Sequence, residues 1–364
     1  MLNIAVLGAS ISGLAIALRL QSSGHQVSVW DGRRSFSASN AGWLFNHSSL
    51  AHLRELGIDL ADMTHRITSG EQIPHHSKNA AAHFESISTH GIRQQVLHDR
   101  LLFKLGTKNI HLGAQFDEFQ PQQGYIVKSA RFLDGREVFA DLFIGADGVD
   151  SKVRSVQIPG PQLRPLNIME IRGTTTVPEL PRELVKSFKL YENNRLGMNV
   201  YLIPTAENDI SWGLQIDLNR HPLKEFHSNG KLNEISASLS EFPKLVRRCI
   251  PASSLANGQI RASKDQEFPD RFHRGNVVLI GDAAHPLTSF LGQSIDSSLE
   301  DTQVLGDMID DLSRGNIADL ETCLTDFIRQ RRPILRARQR FIRNQESALK
   351  GHLAVKNQNS VVTL

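Results

Sequence analysis

The sequence predicts an α/β protein in which a Rossmann-like, dinucleotide-binding domain is interrupted by an inserted antiparallel-sheet domain and followed by C-terminal helices. Three observations carry that expectation. The apolar run Leu2–Leu7 breaks at Gly8, gives way to a helical pattern, and is followed by a second strand, Val27–Trp30, closed by Asp31. Segments 166–177, 186–192, 197–203 and 210–217 alternate or are β-rich. A second fully apolar strand, Asn276–Ile280, ends at Gly281-Asp282 and precedes a long helical stretch.

Taken in order, Leu14–Gln21 has helical spacing and Gly24-His25 breaks it, so strand, glycine turn, helix and strand make one βαβ unit. A helix is expected at Ser48–Glu55, then a polar, His-rich loop over 74–82. Val96, Leu97, Leu101, Leu102 and Leu105 give 93–105 a helical face. Segments 110–119, 124–133 and 137–144 read as short strands with Asp134-Gly135 as a hairpin turn. In the β-rich region, Pro178, Pro181, Asn193-Asn194 and Glu207-Asn208-Asp209 separate the strands. Helices are expected at Lys231–Cys249, from about Gly292 to Leu312, and from Asp319 to Leu349.

Composition narrows the function classes. The 364 residues suffice for two domains, and 22% charged residues argue against disorder. Lys plus Arg exceed Asp plus Glu by only 41 − 38 = 3, which gives no reason to expect nucleic acid or an anionic membrane as partner. Cys249 and Cys323 are far apart, which argues against a zinc ribbon, an iron–sulfur site or a disulfide framework and fits a reducing, cytoplasmic compartment. The apolar N-terminus lacks a basic flank, and no apolar run approaches the roughly 18–20 residues of a membrane span. His75-His76, His83 and His90 lack helical i, i+4 spacing and cysteine partners, so no metal site is expected. The arginine series Arg329, Arg331, Arg332, Arg336, Arg338, Arg340 and Arg343 is expected to form a solvated helix face interrupted by Pro333.

The chemistry lies in three separated motifs. Gly8-Ala9-Ser10-Ile11-Ser12-Gly13 occupies a strand-to-helix turn, where a pyrophosphate meets a helix N-terminus. Gly8 permits the turn and Gly13 the close helix–strand approach; Ser10 stands where the fingerprint has glycine. Asp31 follows Gly8 by 23 residues, the spacing of an acid that bonds a ribose hydroxyl, and suits FAD or NAD better than NADP. Gly145-Ala146-Asp147-Gly148 and Gly281-Asp282-Ala283-Ala284-His285-Pro286, continued by Leu291-Gly292-Gln293-Ser294, each place a small-residue turn and an aspartate after a strand.

This ordered set resembles the class A FAD-dependent monooxygenases, the flavoprotein aromatic hydroxylases with a para-hydroxybenzoate hydroxylase-like fold, and the resemblance runs from Met1 to about Arg343. It implies bound FAD, NADH or NADPH as reductant, and O2 converted to a C4a-hydroperoxyflavin that transfers one oxygen atom to a small aromatic or heteroaromatic substrate. It implies a discontinuous FAD-binding domain over 1–160 and 258–315, with 60–90 partly on the substrate side, a substrate domain over 161–257, and a helical region over 316–364. Gly8, Ser10, Ser12, Gly13, Asp31, Arg33, Arg93, Asp147, Asp282, Gly292, Gln293 and Ser294 are the implied cofactor contacts. Arg93 is expected to reach the FAD phosphates, and Asp282 the ribityl or pyrophosphate portion. Backbone amides from Gly292 to Ser294 would stabilise charge at the flavin edge, beside the Pro286 loop. The sheet would roof the flavin, with Tyr191, Asn199, Tyr201 and Trp212 as candidate pocket walls and His47 as a candidate acid/base. His285 is expected to pack or hydrogen-bond within its loop. A monomer or homodimer is expected.

Two positions depart from the family pattern: Ser289 stands for a usual proline and Ser294 for a usual glycine. The tryptophans are Trp30, Trp43 and Trp212, and the flavin halogenase Trp-x-Trp-x-Ile-Pro motif is absent. The dedicated Baeyer–Villiger fingerprint is also absent, although Baeyer–Villiger-type or other flavin oxidation on the same fold stays open, as does a non-catalytic flavin-binding protein.

Overall fold

A computed structural model describes residues 1–36, 41–74, 82–84, 89–158, 160–220, 231–287 and 293–349. The apolar strand β1 (Asn3–Leu7), helix α1 (Ile11–Ser22) and strand β2 (Gln26–Asp31) form the expected βαβ unit. Gly8 makes the turn at φ +112°, and a Cβ there would lie 2.4 Å from the Ala146 carbonyl oxygen. Ser10 caps α1 by accepting from the Gly13 amide. A Cβ on Gly13 would fall 2.0 Å from the Gly8 carbonyl oxygen, so only glycine lets helix and strand approach this closely.

Six strands form the first sheet, in the order His273–Arg274, Val277–Leu279, Leu142–Gly145, β1, β2, Ile110–Leu112. All neighbours are parallel except the first pair. Both β1 and Leu142–Gly145 are buried along nearly their whole length, as a sheet covered on both faces requires. All three motifs leave from the carboxyl ends of strands in this sheet, where open α/β sheets place their ligands.

The second sheet has seven strands: Gln259–Asp265, Arg164–Thr176, Asp209–Asp217, Met198–Pro204, Ser187–Asn193, Ser69–Pro74 and Ala82–Phe84. Its pairs are antiparallel except Ser69–Pro74 with Ser187–Asn193, so a segment from the first quarter of the chain completes it. Gln259–Asp265, which the sequence grouped with the nucleotide-binding stretches, pairs here with Arg164–Thr176. Side-chain alternation divides the sheet into two faces. One face, with Tyr191, Val200, Leu202, Trp212 and Leu214, packs against the helical residues Ile235, Val246 and Leu255. The other, with Leu190, Tyr201 and Ile203, meets Leu44 and Ile67.

Three expectations are corrected. The helix expected at Lys231–Cys249 is split into Lys231–Ser238, a short 3-10 turn at Leu239–Glu241, and Lys244–Cys249, because Pro243 cannot continue a helix from its predecessor. Leu320–Leu349 runs as one helix through Pro333, held by buried Cys323, Leu324, Phe327, Arg331, Leu335 and Ile342 on one face. Its arginines are also not simply solvated. Arg331 is 2% exposed and donates to Asp301 (2.8 Å) and Glu300 (2.8 Å). Arg338 pairs with Glu300, and Arg343 with Asp265 and Glu267, while Arg336 and Arg340 face solvent. A helix of this composition reads as polar until the acids on other elements that meet it are known.

Candidate active site

A cleft of about 970 Å³ runs along the carboxyl ends of the first sheet and ends against the second. At one end its wall is the Gly8–Ser12 turn with Asp31 and Arg33; in the middle it is Asp147, Asp282, Pro286 and Ser294. At the other end it is Glu170 and Arg172 on the second sheet, with Arg261. The three sequence motifs therefore meet in space.

Asp31 accepts from the Ala9 amide at 2.7 Å and from the Arg33 amide and guanidinium at 2.8 and 2.9 Å. Burial pushes its carboxyl up, but these donors outweigh burial and hold it below the usual aspartate range. Arg33 also donates to the Ala9 carbonyl at 3.0 Å, which fixes the carboxylate across the mouth of the glycine turn. An ionised acid is thereby held at the mouth of the glycine turn, with both oxygens accepting from Ala9 and Arg33.

Asp147 is half-buried in the cleft wall, and its oxygens accept from the Ser151 hydroxyl and from the Lys152 and Val153 amides at 2.8 and 3.1 Å. It thus starts the helix Lys152–Gln157. Burial raises its pKa, partly offset by these donors. Arg154, which the sequence left without a role, donates to the carbonyls of Val149 (2.6 Å), Asp282 (3.3 Å) and Ala283 (2.7 Å). It staples one motif turn to the other.

Asp282 is half-buried in the cleft wall, and desolvation there raises its carboxyl pKa; the Ser294 hydroxyl at 2.9 Å and the charges of His285, Arg172 and Arg261 pull the other way. Ser294 thus supplies a donor where the family's usual glycine has none. His285 bonds outside its own loop: its ring binds the carboxylate of Asp301 on the helix Gln293–Arg314, and that carboxylate also accepts from the Gly281 amide at 2.9 Å. Burial alone would raise the Asp301 pKa, but His285 and Arg331 bring it down to about 2. The C-terminal helix therefore fixes the motif turn through two buried charges.

Several expected site residues lie elsewhere. Arg93 is bound to Asp209 and is not in the cleft wall, whereas Gln94 and His98 of the helix Gln94–Leu105 are. The helix starts one residue later than its arginine, and that single step separates cleft from rim. Tyr191 and Trp212 belong to the core between the second sheet and its helices, with the Trp212 indole donating to Thr175 at 3.0 Å. Strand alternation puts them on the face away from the cleft. Asn199 and Tyr201 lie on the opposite face, buried, one row apart. His47 is exposed at the start of the helix His47–Glu55 and does not line the cleft. Gly292 and Ser289 fall outside the described residues, and Gln293 opens the helix Gln293–Arg314. Sequence reasoning missed Glu170, Arg172 and Arg261, and no spacing signal marks them, since only strand register brings them together. Among the described residues no three His, Cys, Asp or Glu are grouped to hold a metal ion, and no helix is long and apolar enough to cross a membrane.

The residues present fit FAD. The Gly8 and Gly13 cradle tolerates no Cβ, an α-helix N-terminus faces the cleft, and Gly148 at φ +87° has nothing within 4 Å of where a Cβ would stand. Comparison with known proteins agrees. The family model described as FAD binding domain matches residues 1–340. The chain is 27% identical over 319 residues to aurachin C monooxygenase/isomerase of Stigmatella aurantiaca, covering 84% of this chain and 79% of that protein. It is 26% identical to salicylate hydroxylase of Pseudomonas putida, covering 91% and 82%. The fold matches 2,6-dihydroxypyridine-3-hydroxylase from Arthrobacter nicotinovorans at TM-score 0.80 and 19% identity, covering 98% and 95% of the two chains. It matches Klebsiella pneumoniae HpxO complexed with FAD and uric acid at TM-score 0.78 and 19% identity, covering 96% and 88%. A nucleotide cradle assembled from three distant motifs and a family match over nearly the whole length lead to one assignment: the chain belongs to the FAD-binding flavoprotein monooxygenase family, and its cofactor is FAD.

Proposed function

We propose that this flavoprotein uses NAD(P)H and O2 to insert one oxygen atom into a small aromatic or heteroaromatic substrate, acting in the cytoplasm as a monomer or homodimer. The observation that carries this reading is the continuity of the cleft from the glycine turn, past Asp282 and Pro286, to the polar face of the second sheet. Relatives named for salicylate and for aurachin C support an aromatic substrate, and a fold neighbour named for a dihydroxypyridine is consistent with a heteroaromatic one. Two free, buried cysteines fit a reducing compartment.

Bound FAD would supply the redox chemistry, hydride acceptance from NAD(P)H and activation of O2. The chain's part is to bind, orient and exclude water. In this proposal Asp31 accepts a ribose hydroxyl and the α1 N-terminus faces the pyrophosphate. Asp282 accepts a further cofactor hydroxyl, and the first turn of the helix Gln293–Arg314 meets the flavin edge beside Pro286. Residues 1–160 and most of 258–315 would serve as the flavin side, and the second sheet as the substrate side.

The test is an absorbance spectrum of the purified protein, followed by NAD(P)H oxidation with and without a panel of phenols and hydroxypyridines under 18O2. The expected result is a flavin spectrum, substrate-stimulated oxidation and one labelled oxygen in the product. Flavin without stimulated oxidation or label incorporation across the panel would favour the non-catalytic reading.

A further inference from the structure

The inner face of the second sheet carries charges that the functional reading has not yet used. On Arg164–Thr176, Met169 and Ile171 face the helices, so Glu170 and Arg172 face the cleft, and both are buried in its wall. Arg172 donates through one Nη to Glu170, and the Gln215 amide donates to the other Glu170 oxygen at 3.1 Å. The Glu170 carboxylate is therefore gripped from two strands. Arg261 stands directly opposite Glu170 in register on the edge strand, exposed at the rim, and Asp282 lies within electrostatic reach of both arginines. Glu170 thus stands between two guanidinium groups, with the Asp282 carboxylate farther along the cleft as a second counter-charge.

What remains unsatisfied is hydrogen bonding, since Glu170 already balances the charge of Arg172. Arg172 Nε is buried and finds no partner among the described residues. Asn199 Oδ1 is in the same condition, and Asn199 stands in the row of Glu170, two strands across. Tyr201 lays its ring over Gly213, where a Cβ would fall 2.0 Å from the ring carbon bearing the hydroxyl, and Gly213 is the register partner of Arg172. Burial pushes the Tyr201 pKa up to about 12, so beside Arg172 it stays a neutral hydroxyl at ordinary pH.

We propose that this end of the cleft selects a neutral hydroxy- or amino-heteroarene over an aromatic carboxylate, and that Glu170 is the residue that sets the preference. The inference rests on the monooxygenase reading above. A carboxylate entering here must shed its water and meets an Arg172 whose charge Glu170 already neutralises; it would also face Asp282. A neutral ring loses little on desolvation, and an acceptor on its edge can take the unpaired Arg172 Nε–H in the cleft wall. Arg261 does not change this balance, because an exposed guanidinium is hydrated and screened.

The experiment titrates the oxidised holoenzyme with 2-hydroxypyridine, 2,6-dihydroxypyridine, benzoate and salicylate, reading the perturbation of flavin absorbance. The wild type is expected to bind a hydroxypyridine at least tenfold more tightly than either carboxylate. Glu170→Gln keeps the side-chain shape and releases the charge of Arg172, so its carboxylate affinity is expected to rise at least tenfold and the order to narrow or invert. Flavin content and melting temperature show whether the variant folds; if it does not, the wild-type order alone decides. A wild type that prefers a carboxylate, or that binds no hydroxypyridine, overturns the inference. So does a folded Glu170→Gln variant with the wild-type order unchanged. A wild-type protein that takes up no flavin fails the monooxygenase reading instead, before any ligand is added.

Discussion

The Asp282 carboxylate is half-buried in the cleft wall, with the Ser294 hydroxyl as its hydrogen-bonding neighbour at 2.9 Å and two arginines and a histidine in electrostatic range. Removing it takes away the central acceptor of the cleft. Asp282→Ala is therefore expected to purify largely colourless, and adding FAD should not restore the wild-type flavin-to-protein absorbance ratio. A fully flavinated variant would remove Asp282 from the proposed cofactor site. At this scale the sequence was legible where chemistry is local. Gly8, Gly13 and Asp31 belong to one turn and one strand end, so their spacing specifies their positions. Arg93 was not legible, because one residue of helix phase decides whether a side chain meets the cleft or Asp209.

The helices Gln293–Arg314 and Leu320–Leu349 are joined by charge as well as by packing. Arg331 holds Glu300 and Asp301, and Asp301 in turn holds His285 and the Gly281 amide. Replacing Arg331 with methionine leaves two carboxylates without their buried cation and should cost about 3–5 kcal/mol, read as a lowered denaturant midpoint. A midpoint within about 0.5 kcal/mol of wild type would mean that the pair is not sustained in solution. Earlier on the same long helix, Asp296 accepts from the Ser49 hydroxyl and sits near Arg338 and Glu300. Burial pushes its pKa up to about 7, against about 3.9 in an unfolded chain. The native state thus binds the proton more tightly. Its stabilising contribution is full below about pH 4 and fades as pH rises through 7. Asp296→Asn should lose less stability between pH 5 and pH 8 than the wild type, by on the order of 1–3 kcal/mol, in urea titrations at the two pH values. Equal losses would place the Asp296 pKa in the ordinary range. Neither prediction could come from the helix sequences, where Arg331 looks like any other residue of a basic face.

Across the whole molecule the cleft lies where two sheets of different kinds meet, and its walls come from residues as distant as Ser10 and Ser298. A ligand that spans both should stabilise the native state as a unit. FAD at about 100 times its dissociation constant is expected to add about 2.7 kcal/mol and raise the thermal midpoint of apoprotein; an unchanged midpoint at saturating FAD would mean that the cofactor does not join the two parts. Sequence alone determined the βαβ unit, the three motif turns, the β-rich insertion and the family resemblance. Each of these is written in contiguous residues, as periodicity, glycine placement or a short motif. Tertiary structure alone decided that Ser69–Pro74 completes the second sheet and that Arg331 is buried. It also decided that Tyr191 and Trp212 face away from the cleft, while Glu170 and Arg172 face into it. The reason is the same in each case. Strand register and helix phase convert a shift of one residue into a change of face, and only packing against distant parts of the chain fixes that choice.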